Sequence, residues 1–282
     1  MEVLIEKLDH QGRGIAHIDG KIVFIKNALP NEIVDIEIIK SSKKFDEAEI
    51  KKIIKESSNR IKSICPYYEE CGGCDLLHLS YEEQLKYKEQ KVQEIMERYA
   101  GLGNKVKSII KSDKELNYRN KVTLKSNGKL GYYKKKSNDI VNIEYCYLVS
   151  DFLNKKIKKL NSIGIDKEVN EVMIRSINND ECSLTFNLQN QSNNIKKYDK
   201  YSVITDNLTL NNKNNVTNIK KKSNIIGRLG EKQYKVSPTA FFQVNTVQTV
   251  KLYNKILEYV KKIENPIVLF ILWNRNYWYI CK

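Results

Sequence analysis

Three cysteines, Cys65, Cys71 and Cys74, fall within the ten-residue segment CPYYEECGGC. Thiols at that density are the soft ligands of a metal centre, the sulfurs of a disulfide framework, or core residues packed for their apolar character. The Pro, Tyr and Glu residues of the segment read as a loop and not as a core strand. No basic start followed by an apolar stretch opens the chain, so no export signal is evident, and a reduced compartment disfavours disulfides. Gly72 and Gly73 let the backbone turn tightly enough to point the flanking sulfurs the same way. A metal centre then needs a fourth ligand, for which Cys146, Cys182 and Cys281 remain. Four thiols without paired histidines suit zinc or an iron–sulfur cluster, and spacing does not choose between them.

The elements that must position these thiols follow from periodicity. Over residues 1–56, Val3 to Leu8, Ile15 to Ile18, KIVFI, Ile33 to Ile39 and Ala48 to Ile54 alternate in the manner of short strands, and Asp19-Gly20 is a two-residue hairpin signal. Five such strands predict a barrel of the OB kind, a fold that holds nucleic acid against a basic face, here Lys40, Lys43 and Lys44. After the cysteines, Ser80 with Glu83 predicts a capping box, Gly101 a helix end, and Leu85, Val92, Ile95, Met96 and Tyr99 an apolar stripe facing the core.

Residues 105–235 read as β-rich. An Asn127-Gly128 hairpin carries Arg119, Lys121, Lys125, Lys129 and Lys134 to Lys136 interleaved with Tyr118, Tyr132 and Tyr133, a combination that grips phosphate and stacks bases. A helix is expected near Phe152 to Leu160 and a turn at Asn178-Asn179-Asp180. Cys182 reads as a core thiol, and the polar run NNKNNVTNIKKK over 211–222 as an exposed loop. In SPTAFFQVN, residues 237–245, an aromatic loop precedes a helix capped by Asn245 or Thr246. Lys+Arg 49 against Asp+Glu 34 gives a formal charge of +15, a field that favours a polyanion such as RNA. The longest apolar run, PIVLFILW, is far short of the ~20 residues that span a bilayer, so a cytoplasmic protein is expected with no membrane partner and no obligate protein partner.

These motifs in this order carry a resemblance. GRGIAHIDGKIVFIKNALPNE resembles a TRAM domain, and CPYYEECGGC resembles the iron–sulfur loop of the bacterial RNA uracil-5-methyltransferases. The YRNK run and the Gly-aromatic-Tyr segment leading to Cys146 resemble the same family. The resemblance implies Cys65, Cys71, Cys74 and Cys146 as ligands of a 4Fe-4S cluster. It implies Gln243 as a contact of S-adenosylmethionine and Phe241 as a neighbour of the target base. Arg119, Lys121, Tyr132, Lys134 and Lys135 are expected to bind RNA, and 23S rRNA is the expected partner because TRAM barrel and cluster cysteines occur together. The implied reaction is methyl transfer to carbon 5 of uracil after addition of a cysteine thiolate to carbon 6.

The expected fold class is a multidomain, β-rich α+β chain: an OB-like TRAM β-barrel over 1–56, an iron–sulfur loop and helix over 57–104, a central antiparallel β domain over 105–235, and only the first elements of a Rossmann-like methyltransferase domain over 236–282. The glycine-rich donor-binding motif that the resemblance implies after Leu269 is not read in frame. Codons permitted for residues from Phe270 onward, read one nucleotide later, spell Leu-Tyr-Cys-Gly-Thr-Gly-Thr-Ile-Gly. A frameshift after Leu269 is therefore expected, with Trp273, Tyr277 and Trp278 accidental, no catalytic nucleophile or base in the chain, and no activity. The other expected outcome is a non-catalytic iron–sulfur module that binds RNA.

Overall fold

The computed structural model describes residues 1–282 apart from 191, 193, 213–214, 223–224, 238–239, 265–267, 272–277 and 282. The chain forms two compact units, Met1–Lys111 and Ser112–Lys282.

Alternating apolar residues build the first unit as a six-stranded sheet: β1 Glu2–Leu4, β2 Lys7–Leu8, β3 Gly14–Ile18, β4 Lys21–Ile25, β5 Ile33–Ser41 and β6 Phe45–Lys55, in the order β1-β5-β6-β4-β3-β2. The expected first strand is split. β1 pairs with β5 and β2 with β3, so one run of chain lies along both edges of the sheet and closes it. The handover occurs at Ile5 and Glu6, whose amides donate to Glu32 O and Ile15 O, each at 2.9 Å. Asp19 and Gly20 both adopt positive φ, 49° and 78°, as the tight β3–β4 hairpin demands. The interior is filled by Val3, Ile5, Ala16, Val23, Ile25, Ala28, Val34, Ile36 and Ala48. Outside the strands, Arg60 donates to both carboxylate oxygens of the fully buried Glu32, at 2.5 and 2.8 Å.

Helix α1, Tyr81–Ala100, stops where expected, at Gly101, whose φ of 64° supplies the left-handed cap. Two expectations for it are corrected. Ser80 occupies the N-cap position without a side-chain hydrogen bond, and Glu83 instead pairs with Lys86 one turn on. Of the apolar stripe only Leu85 is buried, while Val92, Ile95 and Tyr99 are exposed. A stripe at helical spacing says that a face exists, and not that anything covers it.

The second unit is built on a seven-stranded sheet of β7 Lys121–Ser126, β8 Leu130–Tyr133, β9 Ile140–Asn142, β10 Val169–Arg175, β11 Ser183–Leu188, β12 Asn207–Asn212 and β13 Asn215–Lys221, ordered β13-β12-β11-β10-β7-β8-β9. Gly131 is required between β8 and β9, since a Cβ there would meet Val141 O at 2.1 Å. The sheet is mixed and not antiparallel as expected, because β11 and β12 run parallel. A 3-10 segment, Ile195–Tyr201, makes that crossover and fills it with Tyr198 and Tyr201, both fully buried against Phe186. The polar run expected as a loop supplies edge strand β13. An edge strand needs only main-chain pairing on one side, so polar side chains do not exclude it. Helix α2, Asp151–Ile163, buries Leu153, Ile157 and Leu160.

A hairpin of β14 Ile225–Leu229 and β15 Lys232–Val236 leads to the 237–245 loop and to α3, Thr246–Val260. β16 Val268–Ile271 then pairs antiparallel with β17 Trp278–Cys281, where the first strand of a doubly wound parallel sheet was expected. Trp273 and Tyr277 lie outside the described residues. Among the described residues no helix is long and apolar enough to cross a membrane.

Candidate functional site

The loop SPTAFFQVN is tied to neighbouring strands at several of its described positions. Its two adjacent phenylalanines part company. Phe242 packs with Ala240 against Ile177, Ile225 and Val236, and is close enough to Gly227 that a Cβ there would meet its ring at 3.0 Å. Phe241 turns outward and is 60% exposed. The chain end of β7 holds the far side of the loop. Asn120 donates its amide N–H to Val244 O at 2.9 Å, and its Nδ2 donates to Gln243 O at 2.8 Å and Thr246 Oγ1 at 3.0 Å. Asn245, not Thr246, caps α3, its side chain accepting from the Gln248 amide at 3.1 Å. Gln243 is half-buried.

Of the residues expected to bind RNA, Arg119 and Lys121 flank Asn120 and therefore lie beside this loop. Burial works to lower the Arg119 pKa, but a hydrogen bond with Tyr118 and the proximity of Tyr132 and Cys146 raise it above its ordinary value. Lys121 is shifted the other way, first by burial and then by the charges of Arg175 and Arg119. Tyr132 directs its hydroxyl at Cys146 Sγ, 4.0 Å away. Lys134 and Lys135 sit in the turn after β8, half-buried. Cys146 is itself fixed by α2: its amide donates to Asn154 Oδ1 at 2.8 Å, and Asn154 Nδ2 returns a bond to Cys146 O at 3.1 Å.

Cys65, Cys71 and Cys74 belong to the first unit, in a loop pinned by Cys71 N donating to Tyr67 O at 2.7 Å and Gly73 N to Cys71 Sγ at 3.4 Å. All three and Cys146 are half-buried and outside any disulfide. Soft, reduced sulfurs with an amide directed at one of them fit the chemistry of an iron–sulfur cluster. Their grouping does not: among the described residues no three His, Cys, Asp or Glu side chains are gathered closely enough to hold a metal ion. Cys182 is a core thiol, 1% exposed, with burial pushing its pKa up to about 11.

Sequence reasoning missed Asn120 and Arg175. Arg175 is 1% exposed at the end of β10, and its Nη1 and Nη2 donate to Ser237 O at 3.0 Å and Ala240 O at 2.6 Å. The available signal was a lone arginine closing the apolar run VMI, a cation that a strand so patterned must bury.

Comparison with known proteins fits this geometry. Residues 1–51 match the TRAM domain family. An uncharacterized RNA methyltransferase of Staphylococcus aureus (strain COL) is 31% identical over 303 residues, covering 93% of this chain and 65% of its own length. An uncharacterized RNA methyltransferase of Aquifex aeolicus is 31% identical, covering 95% of this chain and 66% of its own length. The chain thus spans about 65% of the length of the curated relatives it matches. Among solved structures, the tRNA (uracil-54, C5)-methyltransferase of Pyrococcus abyssi in complex with S-adenosyl-L-homocysteine superposes with TM-score 0.69 at 22% identity, covering 92% of this chain and 65% of that chain.

That likeness corrects the expected fold class. The chain has two large sheets and a mixed α/β build that follow a methyltransferase fold over 92% of its length, not a β-rich chain carrying only its first elements. The match to the relatives runs through 93% of this chain, over 65% of their own length, and lends no support to the expected frameshift or to the expected loss of activity. Codon compatibility with a second frame is a loose constraint, since most residues leave the third base open.

Proposed function

We propose, from the likeness to RNA methyltransferases along most of its length, that this chain binds RNA and serves methyl transfer to carbon 5 of a uracil. The observation that carries the reading is Phe241, an aromatic ring held outward on a loop whose backbone is tied down on both sides. An exposed ring on a rigid support can stack against an unpaired or flipped base without first losing loop entropy. Arg119 and Lys121, next to it, supply charge for the phosphates on either side of that base, with Tyr132, Lys134 and Lys135 extending the contact along β8. The half-buried Gln243 amide is the group we assign to S-adenosylmethionine. The methyl donor, when bound, supplies an electrophilic methyl group.

Carbon 5 of uracil is a weak nucleophile until a thiolate adds at carbon 6, and a base must later remove the carbon 5 proton so that the thiol can leave. Cys182 does not suit the first role, being buried with its thiol held protonated near neutral pH. The finer reading is 23S rRNA as substrate and an iron–sulfur cluster as cofactor. The TRAM match supports an RNA substrate, and the reduced thiols of Cys65, Cys71 and Cys74 suit cluster chemistry, although no three ligand side chains among the described residues are gathered at metal-binding distance. Iron and acid-labile sulfide in anaerobically purified protein test the cluster, and zinc alone overturns it.

For the reaction, protein is incubated with S-adenosylmethionine and unmodified 23S rRNA or tRNA, and nucleosides are analysed by mass spectrometry. We expect 5-methyluridine from 23S rRNA, reduced at least tenfold by Phe241→Ala or Gln243→Ala. Its absence from both RNAs overturns the reading.

A further inference from the structure

A guanidinium buried without a carboxylate is costly, and Arg175 is in that position: no acidic side chain among the described residues pairs with it. Burial alone pulls its pKa down to about 10, leaving it charged at neutral pH. Its two terminal nitrogens go to backbone carbonyls of a single loop, Ser237 O and Ala240 O, one on each side of residues 238–239. Asn120, next to Lys121 in the neighbouring strand, holds the same loop further along through Gln243 O, Val244 O and Thr246 Oγ1. Lys121 and Arg175 are paired in register across β7 and β10, so both tethers spring from one place at the end of the sheet. Between the last carbonyl held by Arg175 and the first held by Asn120 stand only Phe241 and Phe242. One is turned in as an anchor and the other out.

We infer that Arg175, together with Asn120, is a positioning residue that sets the orientation of Phe241 and Gln243 toward RNA base and methyl donor. The inference rests on the reading of those two residues given above. Arginine suits the task because its fork reaches two carbonyls at once, where lysine offers a single point. A guanidinium serving only to stabilise the sheet would bond to strand carbonyls or a carboxylate, and this one bonds to neither.

The test uses the full chain with Arg175→Met, Arg175→Lys, Asn120→Ala and Phe241→Ala. It reads hydrogen exchange, thermal midpoint and affinity for a uridine-rich oligonucleotide. Arg175→Met is expected to speed exchange of the 240–245 amides at least tenfold while β11 and β12 keep their protection, and to weaken oligonucleotide binding at least fivefold. Arg175→Lys is expected to fall between, and Asn120→Ala to loosen 243–246 while sparing 237–240. Unchanged exchange over 237–246, or a rise shared equally by all strands of the sheet, overturns the inference. Should Arg175→Met fail to fold, Arg175→Lys and Asn120→Ala decide by the same criteria. Phe241→Ala is expected to weaken binding with the loop unaltered. If instead it binds like the parent while Arg175→Met still loosens the loop, the positioning role holds and the Phe241 reading falls.

Discussion

Single side chains in this protein are governed by what burial leaves them to bond with. Glu32 is fully buried, and burial alone would raise its pKa, yet bonds from Arg60 and from the Leu29 and Ser57 amides hold it below the ordinary carboxylate value of 4.5. A folded-state pKa below the unfolded one means that the barrel has this contribution in full above about pH 4.5 and loses it as pH falls through the folded value. Arg60→Met leaves the carboxylate buried without its cation. The expected cost is ~3–5 kcal/mol, read as a lowered denaturation midpoint. Cys182 gives a second expectation at this scale. With its thiol inside the core and its pKa at about 11, it should resist iodoacetamide at pH 7.5 in the native protein and react after denaturation. Alkylation of Cys182 at native conditions, seen by peptide mass spectrometry, would contradict the placement.

Elements show where sequence pattern stops carrying information. Turns were legible because few residues tolerate their dihedrals: Asp19-Gly20, Gly128 and Asn179 all take positive φ where the sequence marked them. Cys182 was legible as core, and Gly101 as a helix end. β13 was not, since the pairing of an edge strand is written in main-chain groups common to all residues. The β11–β12 parallel pair was hidden for the same reason, although Tyr198 and Tyr201 hinted that the segment between them was packed. The hold on the 237–245 loop was invisible because its acceptors are carbonyls, which no residue letter records. Helix α1 makes the converse point: its stripe has the right period and is uncovered. Ile95→Lys and Tyr99→Glu should therefore shift stability by less than ~0.5 kcal/mol in chemical denaturation, whereas core positions of that size cost several times more.

At the scale of the whole molecule the decisive quantity is charge. A formal excess of +15, with cations in both the barrel and the β7–β8 hairpin, would give the proposed RNA binding the character of ion exchange. The logarithm of the binding constant should fall linearly with the logarithm of salt concentration. Each contacted phosphate contributes ~0.7 to the slope, so three or more contacts give a slope steeper than −2. A flat dependence would mean that the excess charge serves solubility alone. Lys134→Ala and Lys135→Ala should each make the slope shallower by about that unit while leaving any preference for uridine intact.

The division of the first strand at Ile5 and Glu6 bears on how the barrel comes apart. Because a single ribbon clasps both rims, neither can fray by itself: peeling β1 from β5 drags β2 from β3. The two short stretches should therefore share one opening event, and amide protons at Val3 and Leu8 should exchange with the same free energy as those deep in β4. Short strands are ordinarily the first to loosen, and here the closure of the ring makes them as slow as its centre.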